Sequence, residues 1–160
     1  MMPADFESLS RHFDDDLLAK IPLARTMQLR VAHYSGDVLT LSAPLAPNVN
    51  DKGCAFGGSL ASAMTLAGWG LVALKLESLG ENCDIYVQDS TIRYLAPIWS
   101  DFETQAMLGD GQTWDDFLTA LNTRGKGRTI VRCRVCLADG SDATTLDARF
   151  VAVRRVNENS

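Results

Sequence analysis

Apolar residues recur at helical spacing over residues 4–20, where Phe6, Leu9, Phe13, Leu17 and Leu18 line one side and Pro22 follows. This spacing predicts an amphipathic packing helix that ends near the proline. From Met27 the period changes to two. Leu29 and Val31 alternate with Gln28 and Arg30, and Ser35-Gly36-Asp37 turns the chain into residues 38–43, the pattern of a hairpin. A loop holding Pro44, Pro47, Asn48, Asn50, Asp51 and Gly53 then leads into 21 residues, Cys54 to Leu74, that carry no charge.

That uncharged run is long enough to raise a membrane span. Four glycines (Gly57, Gly58, Gly68, Gly70) and three hydroxyl residues (Ser59, Ser62, Thr65) dilute it, and its flanks read as sheet. The pattern therefore predicts no span but a helix over residues 57–78, apolar nearly all round and so buried nearly all round. After Gly80, strands are expected over 84–98 and 101–108, joined through Pro97. Thr113 then caps a short helix with the stripe Trp114, Phe117, Leu118 and Leu121, Asp116 stands at the capping-box position, and Gly125 ends the helix. That stripe reads as a small core. Residues 128–138 and 144–154 alternate around Asp139-Gly140, a strong hairpin signal. Val131, Cys133, Val135 and Leu137 make one apolar face; Leu146, Ala148, Phe150 and Ala152 make another. Strands joined mostly by hairpins imply an antiparallel sheet. With a single helix apolar enough to be the core, the simplest α+β solution wraps that sheet around the helix.

The 160 residues, 46% hydrophobic and 22% charged, fit one globular domain spanning 1–160, with a frayed tail at about 156–160. A chain of this size buries about 70% of its unfolded surface, so neither metal nor disulfide is needed for stability. The net charge of -5 argues against nucleic acid as a partner. Asp5, Glu7 and Asp14 to Asp16 leave no basic start or apolar stretch for a secretory signal, and Cys54, Cys83, Cys133 and Cys136 show no disulfide-scaffold spacing, so a cytoplasmic protein with reduced thiols is expected.

Chemistry concentrates where the loop enters the apolar helix, in Asn50-Asp51-Lys52-Gly53-Cys54-Ala55-Phe56-Gly57-Gly58-Ser59. The first amides of a helix lack intrahelical acceptors and stand at the positive end of its dipole, so they can bind a carbonyl oxygen that becomes negative. The glycines allow close approach, which helix-on-sheet packing would also require. This loop and helix, with Ala67-Gly68-Trp69-Gly70, Asp89-Ser90-Thr91-Ile92-Arg93-Tyr94 and Leu95-Ala96-Pro97, resemble the hotdog-fold acyl thioesterases. They are most similar to the thioesterase domain at the C-terminus of the YiiD-type acetyltransferases, over roughly residues 21–153. The twenty residues before it are too few for an acetyltransferase domain.

The resemblance implies a curved antiparallel sheet around a central helix, homodimers or dimers of dimers with a sheet continuous across the interface, and sites built by both subunits. It also implies acyl-CoA or acyl-carrier-protein thioesters as substrates, with no cofactor or metal. Carried onto this chain, it gives Asn50 the task of orienting water or substrate and the Gly57 and Gly58 amides that of polarising the carbonyl. Phe56 stands where a His often precedes the glycines, and Thr65 where an acid often lies two turns into the helix. Thr65 is expected to orient water or substrate, and Phe56 and Ser59 to line the substrate path. Two carboxylates qualify as base. Asp89 lies mid-strand, where acids are disfavoured, on one face with Thr91 and Arg93, and would either activate water or form an ion pair. Asp51 ranks second, because a loop acid also serves turns. Cys54 near a helix start is a weaker nucleophile candidate, since no His adjoins it. Cys133 and Cys136 point to opposite strand faces and hold no zinc. Arg124, Lys126, Arg128, Arg132 and Arg134 gather 5 of the 15 basic residues. Arg124, Lys126 and Arg128 are expected to hold coenzyme A phosphates or a carrier protein, unless the cluster is a solvated strand face with cross-strand pairs. A thioester-binding module without catalysis and a hydratase or dehydratase are the rival functions.

Overall fold

The computed structural model describes residues 5–156. Ala4 and the expected tail beyond Val156 lie outside them. Helix α1 (Phe6–Lys20) begins where the Asp5 carboxylate accepts from the Ser8 amide at 3.1 Å, and it sends Phe13 and Leu17 into the core. The first helix closes just before Pro22 as expected, but the proline has a further role. It starts a second helix, α2 (Pro22–Met27), because a proline at the first helical position gives up an amide that has no partner there anyway.

The remaining elements are strands β1 (Arg30–Tyr34) and β2 (Leu39–Ala43), helix α3 (Gly57–Ser78), strands β3 (Cys83–Tyr94) and β4 (Phe102–Leu108), helix α4 (Trp114–Arg124), and strands β5 (Lys126–Cys136) and β6 (Asp142–Arg154). The α3 bounds match the expected 57–78. The α4 caps are also as expected, with the Thr113 hydroxyl accepting from the Asp116 amide at 3.1 Å and Gly125 left-handed at φ 70°.

One six-stranded sheet runs in the order β1-β2-β4-β5-β6-β3, antiparallel throughout. The strands expected to follow one another through Pro97 are therefore not neighbours. β3 is an edge strand against β6, while β4 lies between β2 and β5. The link between them crosses the end of the sheet, where Leu95 and Ala96 donate to the Ala143 carbonyl and Ile98 accepts from Ala55.

The concave face receives α3. Leu60, Ala63, Met64, Ala67, Leu71, Val72 and Leu74 are buried against Leu39, Leu41, Ala106, Val131, Cys133, Leu146, Ala148 and Phe150. By length and composition α3 could cross a membrane, but here it is the core of the sheet that curves around it. A curved antiparallel sheet holding one long apolar helix is the hotdog architecture. The sheet leaves one strip of α3 partly open, through Gly58, Ser59, Ser62, Thr65, Leu66, Trp69 and Ala73.

Candidate active site

The loop before α3 is held by its own polar groups. Asn48 is buried, and its side-chain amide donates to the carbonyls of Met27 (2.9 Å) and Pro44 (2.8 Å) while its backbone carbonyl accepts from Phe56 (2.7 Å). Asn50 turns its carbonyl oxygen onto the amides of Lys52 (2.8 Å) and Cys54 (3.2 Å), and its Nδ2 donates to Cys54 Sγ at 3.2 Å. An Asn used this way templates a tight turn, closed by Gly53 at φ 89°. The Asn50 side chain thus orders the loop through its oxygen and one Nδ2–H bond. Asn48 carries more of the loop's order than its sequence neighbourhood indicates; its burial is the only signal, and that is tertiary.

This loop delivers Phe56 as the N-cap of α3, in extended conformation and without a side-chain capping bond. Among the described residues, the amides of Gly57, Gly58 and Ser59 have no hydrogen-bond acceptor, and the first helical bond is from Leu60 to Phe56. Three donors therefore stand open at the positive end of a 22-residue helix. The first of them, Gly57, lines a groove of about 250 Å³ together with Ala55, Leu60, Tyr94 to Ile98 and Thr144. Phe56 is 54% exposed and folds over Gly58, where a Cβ would come within 2.3 Å of its ring. Tyr94 lies against Gly57 and donates from its hydroxyl to the Gly57 carbonyl at 3.2 Å.

Gly57, Gly58, Phe56 and Ser59 are thus brought together, and Asp51 sits on the entering turn, its side chain 82% exposed and paired with Lys52 at 3.0 Å. Thr65 lies on the open strip of α3, eight residues and about 12 Å further along the helix.

Two groups of expected site residues lie away from the α3 tip within one chain. Asp89 shares a face with Thr91 and Arg93 as foreseen, but the face is the outer one. A bulge between Val87 and Asp89 sets Asp89 opposite Arg149, whose neighbours Ala148 and Phe150 point inward. Its carboxylate is 60% exposed and pairs with Arg149 at 3.3 Å, turned away from the α3 tip. The basic cluster begins toward the other end of α3. Gly125 accepts from Arg154, and Arg154 pairs with Glu81 just beyond the C-terminal end of α3. Arg124 and Lys126 therefore stand toward the opposite end of α3 from Gly57 within one chain, and Arg128 follows them on β5. Arg132 and Arg134 make cross-strand pairs with Asp147 (3.0 Å) and Asp142 (2.6 Å), the solvated-face arrangement.

Neither buried thiol is a ready nucleophile. Cys54 is held by Asn50, and His12 and His33 lie on α1 and β1. Cys133 is sealed in the core and donates to the Met64 carbonyl, and burial pushes its thiol pKa up, which keeps it protonated. Cys136 is exposed on the opposite face. Three larger grooves, of about 780 Å³ beside Arg25 and Arg30, about 480 Å³ between Trp69 and Tyr86, and about 320 Å³ between Phe102 and Arg134, are lined by none of the residues that carry the open amides.

Comparison with known proteins agrees with this geometry. Residues 10–154 match the family described as "Putative thioesterase (yiiD_Cterm)". Among solved structures the chain is similar to a protein of unknown function from Chlorobaculum tepidum TLS, 25% identical with a TM-score of 0.88 over 95% of this chain and 98% of that one. It is similar also to a "putative thioesterase" from Shewanella oneidensis, 31% identical with a TM-score of 0.81 over 92% and 99% of the two chains. A "probable thioesterase" from Pseudomonas aeruginosa, 21% identical with a TM-score of 0.77 over 96% and 99%, shares the fold.

Proposed function

This chain belongs to the thioesterase family of the YiiD C-terminus, and on that premise we propose that it hydrolyses acyl thioesters of coenzyme A or acyl carrier protein by direct attack of water. The observation that carries the reading is the trio of open amides at the α3 tip beside an accessible groove. In the proposed step a water oxygen bonds to the thioester carbon, and the carbonyl oxygen takes up negative charge between the Gly57 and Gly58 amides. The carbon–sulfur bond then breaks, leaving a carboxylic acid and a thiol. Fixed donors aimed at developing charge supply a large part of such catalysis, because they need no reorganisation as the charge forms. The scheme uses no metal or cofactor. The acyl group would run along the open strip of α3 past Thr65 and Leu66.

Asp51 is the carboxylate this reading retains as base, passing the proton from water to the departing sulfur. It lies on the turn that enters the tip, whereas Asp89 faces outward. Asp51→Asn is expected to lower kcat about 100-fold, and Asp89→Asn to change it less than about threefold. Thiol release from a panel of acyl-CoAs measures both. Full activity in Asp51→Asn would dismiss this base, and no thiol from any chain length would dismiss the hydrolase.

One observation favours a second reading. None of the residues lining the groove is a carboxylate or a histidine, as in a module that binds acyl thioesters without cleaving them. Binding of intact acyl-CoA with no thiol released would select it.

A second copy of the chain is the proposed partner. Strand β3 is 12 residues long and unpaired along one edge, with Val87 45% exposed on the helix-facing side, an arrangement that invites pairing unless it is covered. Sedimentation is expected to give at least twice the chain mass of 17.4 kDa. Val87→Lys should shift the protein toward the monomer, and an unchanged mass in that variant would place the contact elsewhere.

A further inference from the structure

We propose that Tyr94 is a positioning residue that acts through the Gly57–Gly58 peptide. Its hydroxyl, bonded to the Gly57 carbonyl, makes the Gly58 amide a stronger donor to the substrate oxygen. The inference rests on the thioesterase reading above and adds to it a residue that never touches the substrate carbonyl.

The carbonyl of Gly57 and the amide of Gly58 belong to one planar, conjugated peptide group. A hydrogen bond donated to the oxygen draws electron density toward it and leaves the N–H more positive, the polarisation that makes chains of hydrogen bonds cooperative. The Gly57 oxygen has two lone pairs, so it can serve the helix and still accept from Tyr94 at 3.2 Å. On the other side of the same peptide the Gly58 amide has no acceptor among the described residues. Polarisation delivered to the carbonyl is therefore available to whatever that amide binds.

The hydroxyl is held on its target by the fold. Tyr94 is the last residue of β3, paired with buried Thr144 of β6, and the next two residues, Leu95 and Ala96, both donate to the Ala143 carbonyl at 2.8 and 3.1 Å. The ring lies flat enough on the first turn of α3 that a Cβ at Gly57 would meet its Cε1 at 3.4 Å and its Cζ at 3.6 Å. Tyr94 is 56% exposed as a residue, yet its hydroxyl bonds this carbonyl. The ring also forms one wall of the groove, so its bulk and its hydroxyl do separable jobs.

Tyr94→Phe keeps the wall and removes only the donor. It is expected to lower kcat about three- to tenfold, the worth of one polarising hydrogen bond, with KM changed less than about twofold. Tyr94→Leu, which also thins the wall, should raise KM in addition. The readout independent of turnover is the amide resonance of Gly58 in the ligand-free protein, which should move upfield in Tyr94→Phe relative to the parent. An unmoved Gly58 resonance overturns the inference, as does an unchanged kcat or a change confined to KM. If the parent released no thiol from any acyl-CoA, the hydrolase reading would fall, and the Gly58 resonance would still decide whether Tyr94 polarises that peptide.

Discussion

Gly57→Pro is expected to reduce thioester turnover about 100-fold or more while leaving the melting temperature unchanged or slightly raised. The substitution removes one open donor and little else. Gly57 is the first residue of α3, where proline's fixed φ suits the helix and its missing N–H breaks no helical bond. Phe56 before it is already extended, at φ -68° and ψ 132°, as a residue preceding proline must be. The nearest atom to a new Cβ is Tyr94 Cε1 at 3.4 Å, ordinary contact. Proline at a compatible position typically stabilises by about 0.4–1 kcal/mol through the unfolded chain. Loss of one oxyanion donor typically costs about 10²- to 10³-fold in kcat. Gly57→Ala, which keeps the amide, should stay within a few-fold of the parent. Steady-state kinetics beside a thermal melt separates the outcomes, and a Gly57→Pro protein that melts normally and turns over normally would remove the Gly57 amide from the mechanism.

Phe150→Ala is expected to remove about 3–5 kcal/mol of stability, a large share of the roughly 5–15 kcal/mol available to a domain of this kind. Phe150 is fully buried on the inner face of β6, and its ring fills the notch that Gly68 leaves in the middle of α3. A Cβ at Gly68 would stand 2.8 and 2.9 Å from the ring's Cε2 and Cζ and 3.4 Å from Cys133 Sγ. The pair is thus a knob and its socket. Gly68→Ala should destabilise by about 1–3 kcal/mol through overpacking, despite the roughly 1 kcal/mol that alanine gains over glycine in a helix. Combining Gly68→Ala with Phe150→Leu should cost less than the two single changes added together, because the smaller side chain makes room for the methyl. Urea unfolding reads all four variants, and a drop of under about 1 kcal/mol for Phe150→Ala would mean that the ring does not wedge helix to sheet.

The extent of α3 was readable along the chain, because an uncharged run diluted by glycines and hydroxyls and flanked by strand patterns reads as a core helix. The hairpins β1–β2 and β5–β6 and both ends of α4 were readable for a related reason. Each is set by neighbours in sequence: Ser35-Gly36-Asp37, Asp139-Gly140, and the Thr113 and Gly125 caps. The open amides at Gly57 and Gly58 follow from the same local logic, since any helix begins with unpaired donors.

What lay beyond reach was the direction in which polar side chains point. The sequence grouped Asp89 with Thr91 and Arg93, but β3 carries apolar residues on both sides, Tyr86 on one and Ile85 and Val87 on the other, so alternation alone could not choose the inward face. The bulge after Val87 then re-phased the strand and put Asp89 outside. Asn50 was legible as a loop Asn but not as one folded onto its own turn. The basic run was legible as a cluster, yet its distance from Gly57 depends on β5 starting beside the far end of α3.

Local chemistry, then, determined which stretches of this chain are helix or strand and where the donors stand, because periodicity and capping act between residues a few positions apart. The tertiary structure alone decided that β3 forms an edge, that Tyr94 meets Gly57, and that Asp89 faces outward beside Arg149, because those pairings join residues tens of positions apart. Their energies depend on how the whole sheet closes on α3.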